Sequence, residues 1–142
     1  ERFNIVSVDG EDYRHRDIDA HSELFAASEL LKLTAEGVSL DSFPAVLKHL
    51  STLHPTKYRY LLKGLQGILL TNVHKLHDQV DALRFVSFID RAYELQIPVR
   101  ASGDLPLTDI FTDEMIAGGY RKKYLRSVSR ISALSSRTLH SS

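Results

Sequence analysis

The stretch "ILLTNVHKLHDQVDALRFVSFIDRAYELQIPVRAS", residues 68–102, decides the fold of this 142-residue chain. It opens with a continuous apolar run at 68–73, which is typical of a strand covered on both faces. Asp78 suits the cap of a helix over 79–96, and the stretch "IPVRAS" at 97–102 reads as a second strand. A strand, a helix and a strand within about 35 residues predict a right-handed βαβ unit.

The helix prediction over 79–96 depends on one stripe of apolar residues at helical spacing: Ala82, Phe85, Val86, Ile89, Ala92 and Tyr93. Asp90 follows the apolar residues of "FVSFID", and its position invites comparison with the magnesium-holding acids of nucleotide hydrolases. Such an acid stands at the carboxyl end of a buried strand, whereas Asp90 lies beside a helical stripe. We therefore interpret Asp90 as a flanking residue near Arg91 and Glu94 rather than a metal ligand.

The remaining segments predict one helix-rich α/β domain over 1–142, with a small, mostly parallel sheet and a carboxyl-terminal helix. The strands of the sheet are predicted near 3–8, 67–73 and 97–102. Further helices are predicted over "DIDAHSELFAASELLKL", "SLDSFPAVLKHLSTL" with Ser42 as cap, "HPTKYRYLLKGLQ", "PLTDIF" and "YRKKYLRSVSRISAL". The chain opens without methionine inside a strand-like run, so we expect it to be part of a longer protein.

Composition excludes several classes of function. Lys plus Arg and Asp plus Glu both number 18, so the overall charge favours neither nucleic acid nor an anionic membrane as partner. The chain has no cysteine, which excludes disulfides, thiol nucleophiles and cysteine-based zinc sites. Its apolar runs are far shorter than the roughly 20 residues that a membrane-spanning helix needs, so we expect no membrane span.

The sequence lacks the motifs of a self-sufficient hydrolase. No "GxxxxGK[ST]" phosphate loop and no "GxSxG" elbow occur. We therefore predict no catalytic residue and no cofactor in this chain alone, and no ATP hydrolysis by it. "HKLHD" places His74, His77 and Asp78 together, but no second cluster has the spacing of a metal site. We favour a polar loop that ends in a helix cap, and predict no metal.

The last predicted helix carries the one concentrated basic surface of the chain. Lys122, Arg126 and Arg130 stand at i, i+4 and i+8, with Arg121, Lys123 and Arg137 nearby. Most such stripes are solvated helix faces, yet a guanidinium beside a nucleotide stabilises phosphate charge. Arg130 and Arg126 are therefore candidates for phosphate contact. The charges of "DYRHR", 12–16, suit either a phosphate contact through Arg14 or pairing within a loop.

Several blocks occur in an order that resembles the carboxyl half of the ZapE-type cell-division ATPases, bacterial relatives of the mitochondrial lactation-elevated, AFG-like ATPases. The blocks are "IVSVDGEDYRHR", "ILLTNV", "ALRFVSFIDRAYE", "VRAS", "PLTDIF" and "YLRSVSRISAL". The residues that match the family's pattern are Asp12, Tyr13, Arg14, Arg84, Phe85, Asp90, Tyr93, Ser129, Arg130 and Ile131. Residues 17–66 look like those of actinobacterial-type members. Asn72 stands where many relatives have an aspartate, so the role of that aspartate is not carried over.

The resemblance implies a cytoplasmic parent ATPase of the AAA+ P-loop type that uses ATP and Mg²⁺. Its phosphate loop and metal-holding acids would lie upstream of residue 1. On this view the chain contacts its own amino-terminal ATPase core and cell-division proteins such as FtsZ, and Arg130, Arg84, Arg126 and Arg14 are candidates for nucleotide sensing. The alternative is a non-catalytic interaction module that binds an acidic partner through the basic helix. Its contact candidates are Lys122, Arg126 and Arg137.

Overall fold

A computed structural model of the chain describes residues 37–136. The strand predicted near 3–8, the helix predicted over "DIDAHSELFAASELLKL", Arg14 and Arg137 lie outside the described residues. The elements are β1 (Val38–Ser42), α1 (Phe43–Leu50), a 3-10 turn (Pro55–Lys57), α2 (Tyr58–Leu62), β2 (Gly67–Val73), α3 (Gln79–Glu94), β3 (Val99–Gly103), a second 3-10 turn (Leu107–Asp109), α4 (Asp113–Ala117) and α5 (Arg121–Ser135).

The three described strands form a parallel sheet in the order β1-β2-β3. The predicted α/β class, helix-rich with a small parallel sheet, is confirmed, and so is the βαβ unit of β2, α3 and β3. β2 has the predicted bounds, whereas β3 begins two residues later than predicted. The strand starts later because Pro98 has no N–H to donate to the sheet. Its carbonyl oxygen still accepts a hydrogen bond from the Ile68 N–H at 2.9 Å.

Strand β1 is not predicted by the sequence pattern. Its five residues, "VSLDS", include Ser and Asp, which are poor strand formers, and they run directly into a helical pattern. The strand is created by pairing along β2, from Val38 opposite Gly67 to Ser42 opposite Thr71. Ser42 then caps α1 as predicted, since its hydroxyl accepts a hydrogen bond from the Ala45 N–H at 3.2 Å.

Asp41 of β1 is a partly buried acid in this sheet. It lies opposite Leu70 in the register, and residues opposite each other project from the same face. Its Oδ2 atom is buried and makes no hydrogen bond to any described residue. Burial disfavours the charged form and raises the pKa of Asp41 from 3.8 to about 7.

The raised pKa of Asp41 predicts that the contribution of this residue to stability falls as the pH rises. Between pH 4 and 7 the folded protein holds a proton on Asp41 that the unfolded chain has lost, so this contribution to the free energy of unfolding decreases across the window and levels off above it. Asp41→Asn should remove this dependence and stabilise the protein at pH 8 by about 2 kcal/mol, allowing for partial exposure. Urea unfolding of both proteins at pH 4.5 and pH 8 measures the effect. A parallel pH dependence in the two proteins would contradict it.

Helix α3 supplies the centre of the core. Its predicted stripe is confirmed, with Tyr93 half-buried and the other members buried. The Phe85 ring packs edge-on against Phe43, with centroids 5.1 Å apart, and is stacked on Phe88 at 5.5 Å. Helices α1, α2 and α5 all contact α3. The position of α3 therefore determines where the side chains at its edges meet the other helices.

The carboxyl-terminal helix α5 packs against α3, β3, α4 and the second 3-10 turn. Its buried residues are Tyr124, Ser127, Ile131 and Leu134, and the Tyr124 ring lies 4.8 Å from that of Phe111. The short helix predicted at "PLTDIF" is the second 3-10 turn, and α4 follows it with Thr112 as cap. Within residues 37–136, no helix has both the length and the hydropathy to cross a membrane.

Candidate functional site

One carboxylate joins helices α3 and α5. The Oδ1 atom of Asp90 accepts a hydrogen bond from Nη1 of Arg130 at 2.7 Å, and its Oδ2 atom accepts one from Nη2 of Arg126 at 3.0 Å. Asp90 lies on α3, and both arginines lie on α5, 36 and 40 residues further along the chain. A single acid therefore holds the two arginines that the sequence indicates as phosphate-contact candidates.

A tyrosine completes the arrangement around Arg130. The Cζ atom of Arg130 lies 4.6 Å from the centroid of the Tyr93 ring, which is within the range of a cation–π interaction. Tyr93 follows Asp90 by three residues, so both side chains project from the same side of α3. We refer to Asp90, Tyr93, Arg126 and Arg130 as the Asp90 cluster. It fixes the Arg130 guanidinium by a hydrogen bond to an acid and by contact with an aromatic ring.

Helix periodicity places the cluster at the edge of the α3–α5 interface. Arg126 and Arg130 are four residues apart and lie on one side of α5, next to the buried residues that pack against the core. Exposure rises outward through the cluster, with side-chain accessibilities of 14% for Asp90, 29% for Arg130 and 42% for Arg126. Two cations share one anion, so the cluster keeps an excess positive charge at a surface that solvent reaches.

The chemistry available to the Asp90 cluster is anion recognition. A guanidinium has five N–H donors in a rigid fork, and the hydrogen bonds to Asp90 use one terminal nitrogen of each arginine. An approaching phosphate or carboxylate can use the donors that Asp90 does not occupy, or compete with Asp90 for those that it does. An arginine that is already oriented loses less conformational entropy when it binds such an anion.

Asp90 flanks the apolar stripe of α3, but its ion-pair partners are neither Arg91 nor Glu94. Arg91 and Glu94 pair with each other, with Nη2 and Oε2 2.6 Å apart, and Asp90 instead bonds to the two arginines of α5. Spacing within α3 identifies neighbours on the same helix but carries no information about a second helix. The signal that was available is charge complementarity between an acid flanking one apolar stripe and arginines flanking another.

Arg84 does not reach the cluster. It precedes Asp90 by six residues, which places it about 9 Å away along α3 and about 120° around the helix. Its nearest described acid is Asp81, at 3.6 Å, and both side chains are partly exposed. Lys122 is also outside the cluster, exposed in the first turn of α5. Roles for Arg84, Arg14, Lys122 and Arg137 in nucleotide or partner contact remain predictions.

The loop after β2 is a polar loop that ends in a helix cap. His74 packs edge-on against Phe43 at 5.1 Å, and Asp78 caps α3 by accepting a hydrogen bond from the Val80 N–H at 2.9 Å. Within the part of the chain that the structure describes, no group of three His, Cys, Asp or Glu residues is placed to hold a metal ion. Asn72 has a left-handed backbone, with φ of 58°. Asn is one of the non-glycine residues that adopt this conformation most readily.

The residues of the Asp90 cluster come from two separate motifs, and comparison with known proteins shows that both lie in one family region. A model of the AFG1-like ATPase family matches residues 20–141. The chain belongs to the AFG1-like ATPase family. In this AFG1-like chain the match includes every described residue, so the sheet and the cluster are parts of the family region. No curated protein and no solved structure matches the chain.

Proposed function

We propose that this AFG1-like chain is the carboxyl-terminal part of an AAA+ ATPase and senses bound nucleotide through Arg130, with Arg126 beside it. The observation that carries the proposal is the geometry of Arg130. Its guanidinium is held at 2.7 Å by Asp90 and stacked on Tyr93, and the side chain is still partly open to solvent. A phosphate loop and metal-holding acids preceding residue 1 would bind the ATP and Mg²⁺ of the parent, because no "GxxxxGK[ST]" motif occurs here.

The shared carboxylate suggests how nucleotide state is reported. A phosphate that approaches Arg130 competes with Asp90 for the same guanidinium, since both are anions that favour its donors. When the phosphate is present, Asp90 retains Arg126 and gives up part of its bond to Arg130. The contact between α3 and α5 then differs between the nucleotide-bound and nucleotide-free states. This difference is the signal that we propose.

The cellular role that we propose is that of the ZapE-type members of the family. The support is the order of the blocks from "DYRHR" through "RFVSFIDRAY" to "SRI", of which the last two meet in the Asp90 cluster. On this basis the parent acts in the cytoplasm during cell division. Its partners would be its own amino-terminal ATPase core and the FtsZ ring. A cell-division phenotype of an Arg130→Ala strain, compared with a strain lacking the protein, would test this part.

ATP turnover by the parent protein tests the sensing role. We expect Arg130→Ala to lower kcat by about 10- to 100-fold, because a preorganised cation beside the phosphates is lost. Arg130→Lys should recover only part of the activity, since an ammonium lacks the planar fork. Arg91→Ala is the matched control on α3, because Arg91 pairs with Glu94 rather than with Asp90. Unchanged turnover in a folded Arg130→Ala protein would remove the sensing role.

A second candidate function is supported by the amino end of α5. Arg121, Lys122 and Lys123 are exposed there, the first turn contains no acid, and Tyr120 provides no side-chain cap. Three cations therefore stand at the positive end of the helix dipole, where they destabilise their own helix. An acidic protein surface would offset this repulsion, as in a non-catalytic interaction module. In the parent protein both functions can coexist.

Lys122→Glu separates the stability of α5 from its binding role. We expect the substitution to raise the free energy of unfolding by about 0.3–1 kcal/mol, because a negative charge favours the amino end of a helix. The matched control is Lys48→Glu in the last turn of α1, where the same change should be destabilising. Capture of an acidic partner should weaken with Lys122→Glu and with added salt, which screens exposed charges over about 8 Å at physiological strength. Capture that is insensitive to both would exclude this module.

A further inference from the structure

Helix α2 presents an exposed polar and aromatic face opposite its buried one. Its buried face packs into the core, and the Tyr58 hydroxyl donates a hydrogen bond to the Leu50 carbonyl at 3.0 Å. The opposite face carries Arg59, Tyr60 and Lys63, all exposed. The Tyr60 ring is more than half exposed and is not part of the hydrophobic core.

These exposed side chains line a groove together with the end of α3. A cavity of about 320 Å³ is lined by Arg59, Tyr60, Lys63 and Leu95, and we call it the α2 groove. Tyr60 is 54% exposed and Leu95 is 42% exposed. The groove therefore has two apolar walls and two cations, in a combination suited to a ligand that is both apolar and anionic.

Both charged residues that line the α2 groove, Arg59 and Lys63, are cations. In sequence, no Asp or Glu occurs between Asp41 and Asp78, and this segment contains five cations: Lys48, Lys57, Arg59, Lys63 and Lys75. Lys75 lies away from the groove, where its Nζ atom donates a hydrogen bond to the Asp109 carbonyl. Glu94, which precedes Leu95, is engaged by Arg91 at 2.6 Å. The Lys57 ammonium lies 5.8 Å from the Tyr60 ring centroid and adds to the positive potential. The chain as a whole has no net charge, so this local excess distinguishes the groove from the average surface.

We propose that the α2 groove binds an acidic peptide segment that carries a large apolar side chain. The apolar side chain lies between Tyr60 and Leu95, and flanking carboxylates bond to Arg59 and Lys63. Exposed apolar residues and opposite charge then act together, with the charges steering association and the apolar contact supplying affinity. This inference does not depend on nucleotide sensing and concerns a different surface from the start of α5.

The groove favours a peptide over a nucleic acid for two reasons. Single-stranded nucleic acids stack successive bases on several aromatic rings. The groove has one aromatic ring, that of Tyr60, and the Lys57 ammonium already lies next to it. The opposite wall is the aliphatic Leu95, which suits a leucine or phenylalanine side chain better than a base. Nucleic acid binding is therefore the alternative that the experiment has to exclude.

Fluorescence anisotropy with the whole chain tests the proposal. The probe is a labelled synthetic peptide with a central Leu-Phe pair flanked by Asp and Glu, and its matched control replaces the acids by Asn and Gln. We expect the acidic peptide to saturate the chain below about 1 mM and to weaken as salt rises, and the neutral peptide to bind at least about tenfold more weakly. No binding of the acidic peptide, or equal binding of the two peptides, would overturn the proposal.

Substitutions in the α2 groove test whether the peptide binds there. Arg59→Glu with Lys63→Glu, and separately Tyr60→Ser, should each weaken the acidic peptide by about tenfold or more. Lys48→Gln removes an exposed cation that does not line the groove and should leave the affinity unchanged, and Lys122→Glu reports any binding at the start of α5. Circular dichroism confirms that the variants fold, which is expected since the substituted residues are exposed. Affinity that falls with Lys122→Glu but not with the groove variants would assign the peptide to α5 and contradict the proposal.

A labelled oligo(dT) and a labelled oligo(U) form the last arm of the experiment. We expect both to bind more weakly than the acidic peptide at the same ionic strength. An oligonucleotide that binds more tightly, and that the groove variants weaken, would show that the surface recognises nucleic acid and would overturn the peptide assignment.

Discussion

Replacing Phe85 by alanine is expected to lower the free energy of unfolding by about 3–5 kcal/mol, the range for truncating a buried aromatic residue. Phe85 is fully buried, and its ring contacts those of Phe43 and Phe88. The substitution removes these ring contacts and leaves a cavity at the point where α1 and α3 meet. Urea unfolding monitored by circular dichroism measures the loss.

Val80→Ala is the matched control for Phe85→Ala. Val80 lies on the same helix and is exposed, so its truncation should change stability by less than about 0.5 kcal/mol. If Phe85→Ala lowered the free energy of unfolding by no more than Val80→Ala does, the aromatic rings would not form the centre of the core. Phe85 is one of the residues that match the family's pattern, so the expected loss would give this position a structural role.

Replacing Asp90 by alanine has the second largest expected effect. The substitution removes the acceptor of both Arg126 and Arg130 and leaves two like charges close together on α5. Exposed ion pairs contribute little, but a shared and mostly buried carboxylate with two charge-assisted hydrogen bonds contributes more. We expect a loss of about 1.5–3 kcal/mol in the free energy of unfolding.

The matched control for Asp90→Ala is Asp81→Ala on the same helix. Asp81 pairs with Arg84 at 3.6 Å, and both side chains are partly exposed, so its loss should be no more than about 0.5 kcal/mol. A double-mutant cycle between Asp90→Ala and Arg130→Ala should give a coupling energy above about 1 kcal/mol. Equal losses at Asp81 and Asp90, with no coupling, would mean that the cluster does not join α3 to α5.

The βαβ unit and the helix caps could be predicted because their signals are local. The apolar run of β2, the 3.6-residue stripe of α3 and the caps Ser42 and Asp78 each depend on a few neighbouring residues. β1 could not be predicted in the same way, since its polar residues become a strand only by pairing with β2. The strand β2 with which β1 pairs is separated from it in sequence by α1, a 3-10 turn and α2.

The candidate site could be predicted only in part for the same reason. The spacing of Arg126 and Arg130 indicates a basic stripe, and the family resemblance indicates Asp90 and Tyr93 as motif residues. Neither signal shows that the four side chains meet, because the contacts span 36 and 40 residues. The contact between Asp90 and the two arginines also lowers the net charge of the basic stripe, because Asp90 offsets one of its positive charges.

The nucleotide preference of the parent protein tests the role of the Asp90 cluster most directly. The quantity to measure is the ratio of the Kd for ADP to the Kd for a non-hydrolysable ATP analogue, in the unmodified protein and in Arg130→Ala, with Arg91→Ala as control. If Arg130 contacts the terminal phosphate, Arg130→Ala reduces this ratio by about tenfold and Arg91→Ala leaves it unchanged. A ratio that Arg130→Ala does not alter, in a protein that is folded and binds nucleotide, would contradict nucleotide sensing by the cluster.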